Sequence, residues 1–125
     1  MSHGDFVKQA DAICSAFAAH AQPLPRPRRY EQVAAYVAKN LPLYEAALRK
    51  LEALKPTPQD RPAVARWLAA DRRVAAALHD LGDAALRHDY PALTAAALRV
   101  ESAGFASRQA AGALGLHTCG SVSGR

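Results

Sequence analysis

The stretch Asp60–Leu86, DRPAVARWLAADRRVAAALHDLGDAAL, decides the fold. Asp60 suits an N-cap, and Pro62 falls in a first turn, where a missing N–H costs nothing. Val64, Trp67 or Leu68, Asp71, Val74, Leu78, Leu81 and Ala85 then recur at intervals of three and four residues. That period places them on one face of a helix, which the sequence continues to about Arg87 or His88. A stripe of this kind has to be covered by other helices, because no stretch of the chain alternates with period two long enough to make a strand.

The flanking segments repeat the pattern. Upstream, Lys55-Pro56-Thr57-Pro58-Gln59 is a turn that follows a helix expected over Tyr30–Leu54, with Val33, Val37, Leu41, Tyr44, Leu48 and Leu51 as its seam. Pro42 interrupts that seam without changing its register, so the expectation is one helix kinked near Lys39–Leu41. Three prolines make Pro23–Arg29 an exposed connection, and before it Phe6, Ala10, Ile13 and Phe17 mark a first helix over Asp5–Ala21. Downstream, Asp89-Tyr90-Pro91 repeats the cap-and-proline signal and opens a fourth helix that reaches about Leu114. Its seam is Leu93, Ala97, Val100, Gly104, Ser107, Ala111 and Leu114, and Gly115 is placed to end it.

Composition agrees with helices. The chain has 125 residues, half of them hydrophobic but only 6% aromatic, and about a quarter are alanine, the residue with the smallest helix penalty. The expected fold is therefore all-α: one antiparallel up-down-up-down four-helix bundle over 5–120, with first and last helices adjacent. Residues 1–4 are expected to be a tag remnant or a disordered start, and 121–125 a disordered tail. No window reaches the roughly 18 apolar residues of a membrane span. The net charge of +5 is spread over every segment and interleaved with Asp and Glu, so a nucleic-acid partner is not expected.

Adjacent terminal helices would bring Cys14 and Cys119 together. Closing that loop favours a disulfide and an oxidising compartment; two separate buried thiols in a reducing one are the alternative. Asp71 breaks the apolar seam. It is expected as a buried polar residue that takes a hydrogen bond from Tyr44, Tyr36, Arg72 or Arg73 and fixes helix register, with a site at the bundle wall or simple exposure as the other possibilities.

No catalytic residue, metal ligand or cofactor is assigned. None of Glu31, Glu45, Glu52 or Glu101 has a histidine three residues on, which excludes the carboxylate-bridged di-iron pattern, and there is no Cys-x-x-Cys. His79, Asp83 and His88 share a region of helix three but read as surface pairs, and a His117–Cys119 metal pair would compete with the disulfide. Arg26, Arg28 and Arg29 cluster in the proline-rich connection, too few to define a polyanion site.

The run Ala10-Asp11-Ala12-Ile13-Cys14, the turn Leu54-Lys55-Pro56-Thr57-Pro58, the pair Trp67-Leu68 and the closing Gly115-Leu116-His117-Thr118-Cys119-Gly120 resemble a loose group of bacterial secreted or lipid-anchored helical proteins from high-GC genomes. In that group an early Ala-Asp-x-Ile-Cys and a late Cys-Gly recur. The resemblance implies extracytoplasmic placement (periplasmic, secreted or lipid-anchored), an export segment upstream and a paired Cys14 and Cys119; it implies no activity. The functional expectation is a non-catalytic binding or structural module, a monomer or weak dimer, whose partner is an envelope protein or small ligand. The alternative is a ligand or metal carrier that uses space left by Ala97, Gly104, Ser107 and Ala111, or the surface histidines.

Overall fold

A computed structural model describes residues 1–122, with side chains described through Gly120. Four long helices pack together: α1 (His3–Ala21), α2 (Tyr30–Glu52), α3 (Arg61–Leu86) and α4 (Tyr90–Ala113). A short fifth helix, α5 (Thr118–Val122), follows. The described residues contain no strand.

Helix ends follow the local chemistry, with two departures from expectation. Ser2 accepts a hydrogen bond from the Asp5 backbone N–H, and the Asp5 carboxylate accepts one from the Ser2 N–H. This capping box starts α1 at His3, so the first residues are structured and the expected disordered start is corrected. Asp60 occupies the N-cap position of α3 but its carboxylate caps nothing; it pairs instead with Nδ1 of His3 at 2.7 Å. Asp89 does cap, accepting from the Ala92 N–H at 3.1 Å. α2 runs unbroken through Pro42, as its seam requires.

Contacts between neighbours set the directions of the long helices. Gly82 of α3 abuts Val37 of α2, and Asp71 meets Tyr44, so α2 and α3 are antiparallel. Asp71 also meets Ser107, and Asp80 meets Arg99, which makes α4 antiparallel to α3. Phe17 packs edge-on against Tyr44 while His3 reaches Asp60 beyond the far end of α2, so α1 opposes α2. At the other end of the bundle the rings of Tyr30 and Tyr90 stack at 4.5 Å, joining the first turns of α2 and α4.

The expected contact between α1 and α4 is replaced by an indirect one. Their Cα atoms nowhere come within 8 Å among the described residues; α5 packs against both and fills the space between. Phe6, Ala10, Cys14, Trp67, Ala111, Leu116 and Cys119 form one buried cluster around this junction, with Phe6 edge-on to Trp67 at 6.4 Å. Ser121 and Val122 belong to α5, which corrects the expected tail; the rest of that tail, 123–125, lies outside the described residues.

Two Schellman turns close helices. Gly115, at φ 86°, lets the Leu116 N–H reach the Ala111 carbonyl and its own N–H reach Gly112, which turns the chain back into α5. His88 does the same after α3 at φ 54°, sending the Asp89 N–H to Ala84 and its own to Ala85. A non-glycine residue in that conformation is strained by roughly 1 kcal/mol.

Candidate functional site

Three features of the molecule were open to carry function: the α1–α5 junction, the polar cluster on Asp71, and the outer face of α4.

At the junction, Cys14 and Cys119 form a disulfide with Cα atoms 5.2 Å apart. The Asp11 carboxylate, one turn before Cys14, accepts hydrogen bonds from the backbone N–H groups of His117, Thr118 and Cys119 at 3.2, 3.0 and 3.3 Å. A helix of five residues cannot satisfy its own first amides, so α1 supplies the cap from outside. Ala10 is fully buried against the same corner, and a Cβ on Gly120 would lie 3.9 Å from the Arg108 carbonyl of α4. The early Ala-Asp-x-Ile-Cys and the late Cys-Gly thus build one structural joint. Its thiolates are consumed in the disulfide, so the imagined His117–Cys119 metal pair has no sulfur ligand.

Asp71 is buried, and its Oδ1 accepts hydrogen bonds from the Tyr44 hydroxyl at 3.0 Å and from the fully buried Ser107 hydroxyl. Tyr44 is the expected partner. Ser107, expected from the sequence as a seam or carrier-space residue, is the second partner, and the arginines do not reach: Arg72 pairs with Glu52 at 2.7 Å and Arg73 lies on the outer surface, while Tyr36 meets Asn40 instead. Burial raises the Asp71 carboxyl above the ordinary carboxylate range, and the two hydrogen bonds pull it partly back. Tyr44 is pushed upward by its own burial and then by the neighbouring Asp71 charge and hydrogen bond. The cleft beside them, lined by Phe17, Trp67, Asp71 and the disulfide, offers about 30 Å³. That is room for a water or two and far below the several hundred Å³ of a small-molecule site. A second buried polar residue, Asn40, was not anticipated; its Oδ1 has no hydrogen-bond partner.

The small residues proposed as carrier space are spent on close packing. Ser107 and Ala111 are fully buried, Gly104 is buried, and Ala97 is half-buried. The surface histidines are not gathered either: His79 and Arg99 both meet Asp80, Asp83 pairs with Arg87, and His88 serves the α3 turn. Among the described residues no group of three or more His, Cys, Asp or Glu side chains is placed to hold a metal. Arg26, Arg28 and Arg29 are exposed, with Arg29 3.5 Å from Glu31.

The outer face of α4 is different. Leu98 is 61% exposed and Phe105 57%, seven residues apart and therefore on the same side of the helix. Arg108 lies over the Phe105 ring at 5.9 Å. Beside them a surface groove of about 300 Å³ runs between α4 and α3. Its α3 wall is Arg73, Ala76, Ala77 and Asp80; its α4 wall is Arg99, Ser102, Ala103 and Ala106. Both walls follow the i, i+3, i+4, i+7 pattern of a helix packing face. Asp80 is nine residues after Asp71, about two and a half turns, so the groove opens on the opposite side of α3 from the core.

Comparison with protein-family models, with curated proteins and with solved structures returns no match to this chain. No helix among the described residues is long and apolar enough to cross a membrane.

Proposed function

We propose that the protein is a non-catalytic binding module of an extracytoplasmic compartment, and that it engages a protein partner through the outer face of α4. The single observation that carries this is the pair Leu98 and Phe105. A helix normally hides its large apolar side chains, yet α4 turns two of them to solvent on one line while its other side is fully packed. An aromatic ring beside an arginine, as Phe105 is beside Arg108, is the kind of anchor that binding hot spots use.

Three further features support the proposal. The disulfide fits an oxidising compartment such as the cell envelope. The resemblance of the Ala10–Cys14 and Cys119–Gly120 motifs to secreted helical proteins supports the same compartment. The cleft at Asp71 is far too small for a carrier's ligand, and its polar atoms are engaged in holding α2, α3 and α4 in register. An enzyme would need a reacting group open to substrate, and Asp71 is enclosed by Tyr44 and Ser107.

The test is affinity capture from an envelope extract with the oxidised protein and with a Leu98→Glu/Phe105→Glu variant. Both positions are exposed, so the variant keeps the fold, which circular dichroism verifies. The expected outcome is a partner retained by the parent protein and lost with the variant. Equal retention by both would remove α4 as the docking face.

A further inference from the structure

We infer that Tyr30 and Tyr90 form an oxidative cross-linking site, at which hydrogen peroxide acting through a haem peroxidase couples the two phenol rings into a dityrosine. Each residue opens its helix, Tyr30 α2 and Tyr90 α4, and the ring centroids lie 4.5 Å apart with the planes tilted by 30°. His88, on the turn that leads into α4, meets the Tyr90 ring edge-on at 6.4 Å. Tyr30 is 50% exposed and Tyr90 45%, so an oxidant arriving from solvent reaches both. Neither hydroxyl is engaged by another described residue, whereas Tyr44 is held by Asp71 and Tyr36 by Asn40, and both of those are half-buried.

The peroxidase takes one electron and one proton from each phenol, and the two phenoxyl radicals carry their unpaired spin partly on the ring carbons next to the oxygen. Those carbons, one from each ring, form the new C–C bond. Each then releases its hydrogen as a proton while the phenol oxygen regains one, so two phenols and one peroxide give one dityrosine and two waters. Stacking holds the second ring at an effective concentration far above that of free molecules in solution. No thiol competes for the radicals, because both cysteines are in the disulfide, and Trp67 is only 1% exposed. Met1 is exposed, but its sulfur gains an oxygen, which adds mass where the coupling removes it. The bond would brace a pair that backbone packing does not join: the Cα atoms of α2 and α4 nowhere come within 8 Å among the described residues. It would fasten them across sixty positions of chain, away from the Cys14–Cys119 corner.

The test exposes the dilute, disulfide-bonded full chain to a haem peroxidase and limiting peroxide, and reads intact mass, dityrosine fluorescence and tryptic peptides. The expected product is a monomer lighter by two hydrogens in which peptides 30–39 and 88–99 are joined. Tyr36 shares the first of these peptides, so Tyr36→Phe is the control and should couple like the parent chain. Tyr30→Phe and Tyr90→Phe keep a ring for the stack but lack the phenol, and neither should couple. In urea, with peroxidase activity normalised on free tyrosine, the intramolecular yield should fall about tenfold as the rings separate. The coupled monomer should melt roughly 10 °C higher, because the bond closes a long loop of the unfolded chain. Coupling that survives Tyr30→Phe, that joins separate chains in place of the two helices, or that proceeds equally well in urea would overturn the inference. A linked monomer with an unchanged melting temperature would overturn the bracing of α2 against α4.

Discussion

Replacing both cysteines by alanine removes the covalent tie between α1 and α5 while leaving small apolar side chains in the buried corner. The bridge joins positions 105 residues apart. Closing a loop of that size restricts the unfolded chain by roughly 16 cal/mol/K, which corresponds to about 4.7 kcal/mol at 25 °C. Domains of this size are stable by roughly 5–15 kcal/mol, so the tie accounts for between a third and nearly all of the total. Equilibrium urea unfolding of the parent protein and of Cys14→Ala/Cys119→Ala measures the difference directly. The expected result is a loss of 4–5 kcal/mol with a larger m-value, because the uncrosslinked unfolded chain exposes more surface. A second effect is local: without the bond α5 depends on the Asp11 cap and on Leu116, and a five-residue helix has almost no stability of its own. Hydrogen exchange at the amides of positions 118 and 119 should then accelerate well beyond the global change. A loss below about 1 kcal/mol with an unchanged m-value would show that the loop-closure reasoning does not describe this protein.

Three other outcomes follow from particular side chains. The raised Asp71 carboxyl binds its proton more tightly folded than unfolded, so its share of stability is full below the ordinary carboxylate pKa and is lost as pH climbs through the folded value. Asp71→Asn, which retains an acceptor for Tyr44 and Ser107, should remove that leg of the stability profile, a slope of at most about 1.4 kcal/mol per pH unit, in paired thermal melts across pH; identical profiles would contradict a buried carboxyl. A Cβ at Gly82 would stand 2.8 Å from Val37 Cγ1 and 3.2 Å from its Cβ, so Gly82→Ala should cost about 1 kcal/mol net, the overpacking exceeding the helix-propensity gain, and Val37→Ala should restore it in a double-mutant cycle. His88→Gly should stabilise by about 1 kcal/mol in denaturant titration by relieving the positive φ after α3; destabilisation would mean that the edge-on contact of His88 with Tyr90 outweighs the strain.

The long helices were legible because their signals are local. Pro62 and Pro91 mark first turns, Gly115 a last one, and the seams from Val33 to Leu51 and from Val64 to Ala85 repeat often enough to fix both period and face. The disulfide was legible through topology, although the topology differs in detail, since α5 stands where α1 was expected to touch α4. That helix had no signature to find: five residues make no periodic pattern, and its cap comes from Asp11, more than a hundred residues away. Asp71 announced itself by breaking a seam, and Tyr44 was within reach of the expectation. Ser107 was not, because a serine among alanines looks like packing until its hydroxyl is seen to face a carboxylate. His88 hid for the opposite reason, as its role lies in the backbone and any side chain there reads as surface. The α4 face escaped because its exposed line, Leu98 and Phe105, had been left outside a seam drawn through the small residues.

The joint between Asp11, Cys14 and Cys119 also has a mechanical meaning. Tension applied to the chain outside the two cysteines passes through a single covalent link at one corner of the molecule, bypassing the helices that the loop encloses. Under shear α2, α3 and α4 would hang from their fastening without being stretched, while the turns of α1 before Cys14 took the load, so the outer face of α4 would keep its shape under forces that would peel apart an unbridged four-helix protein.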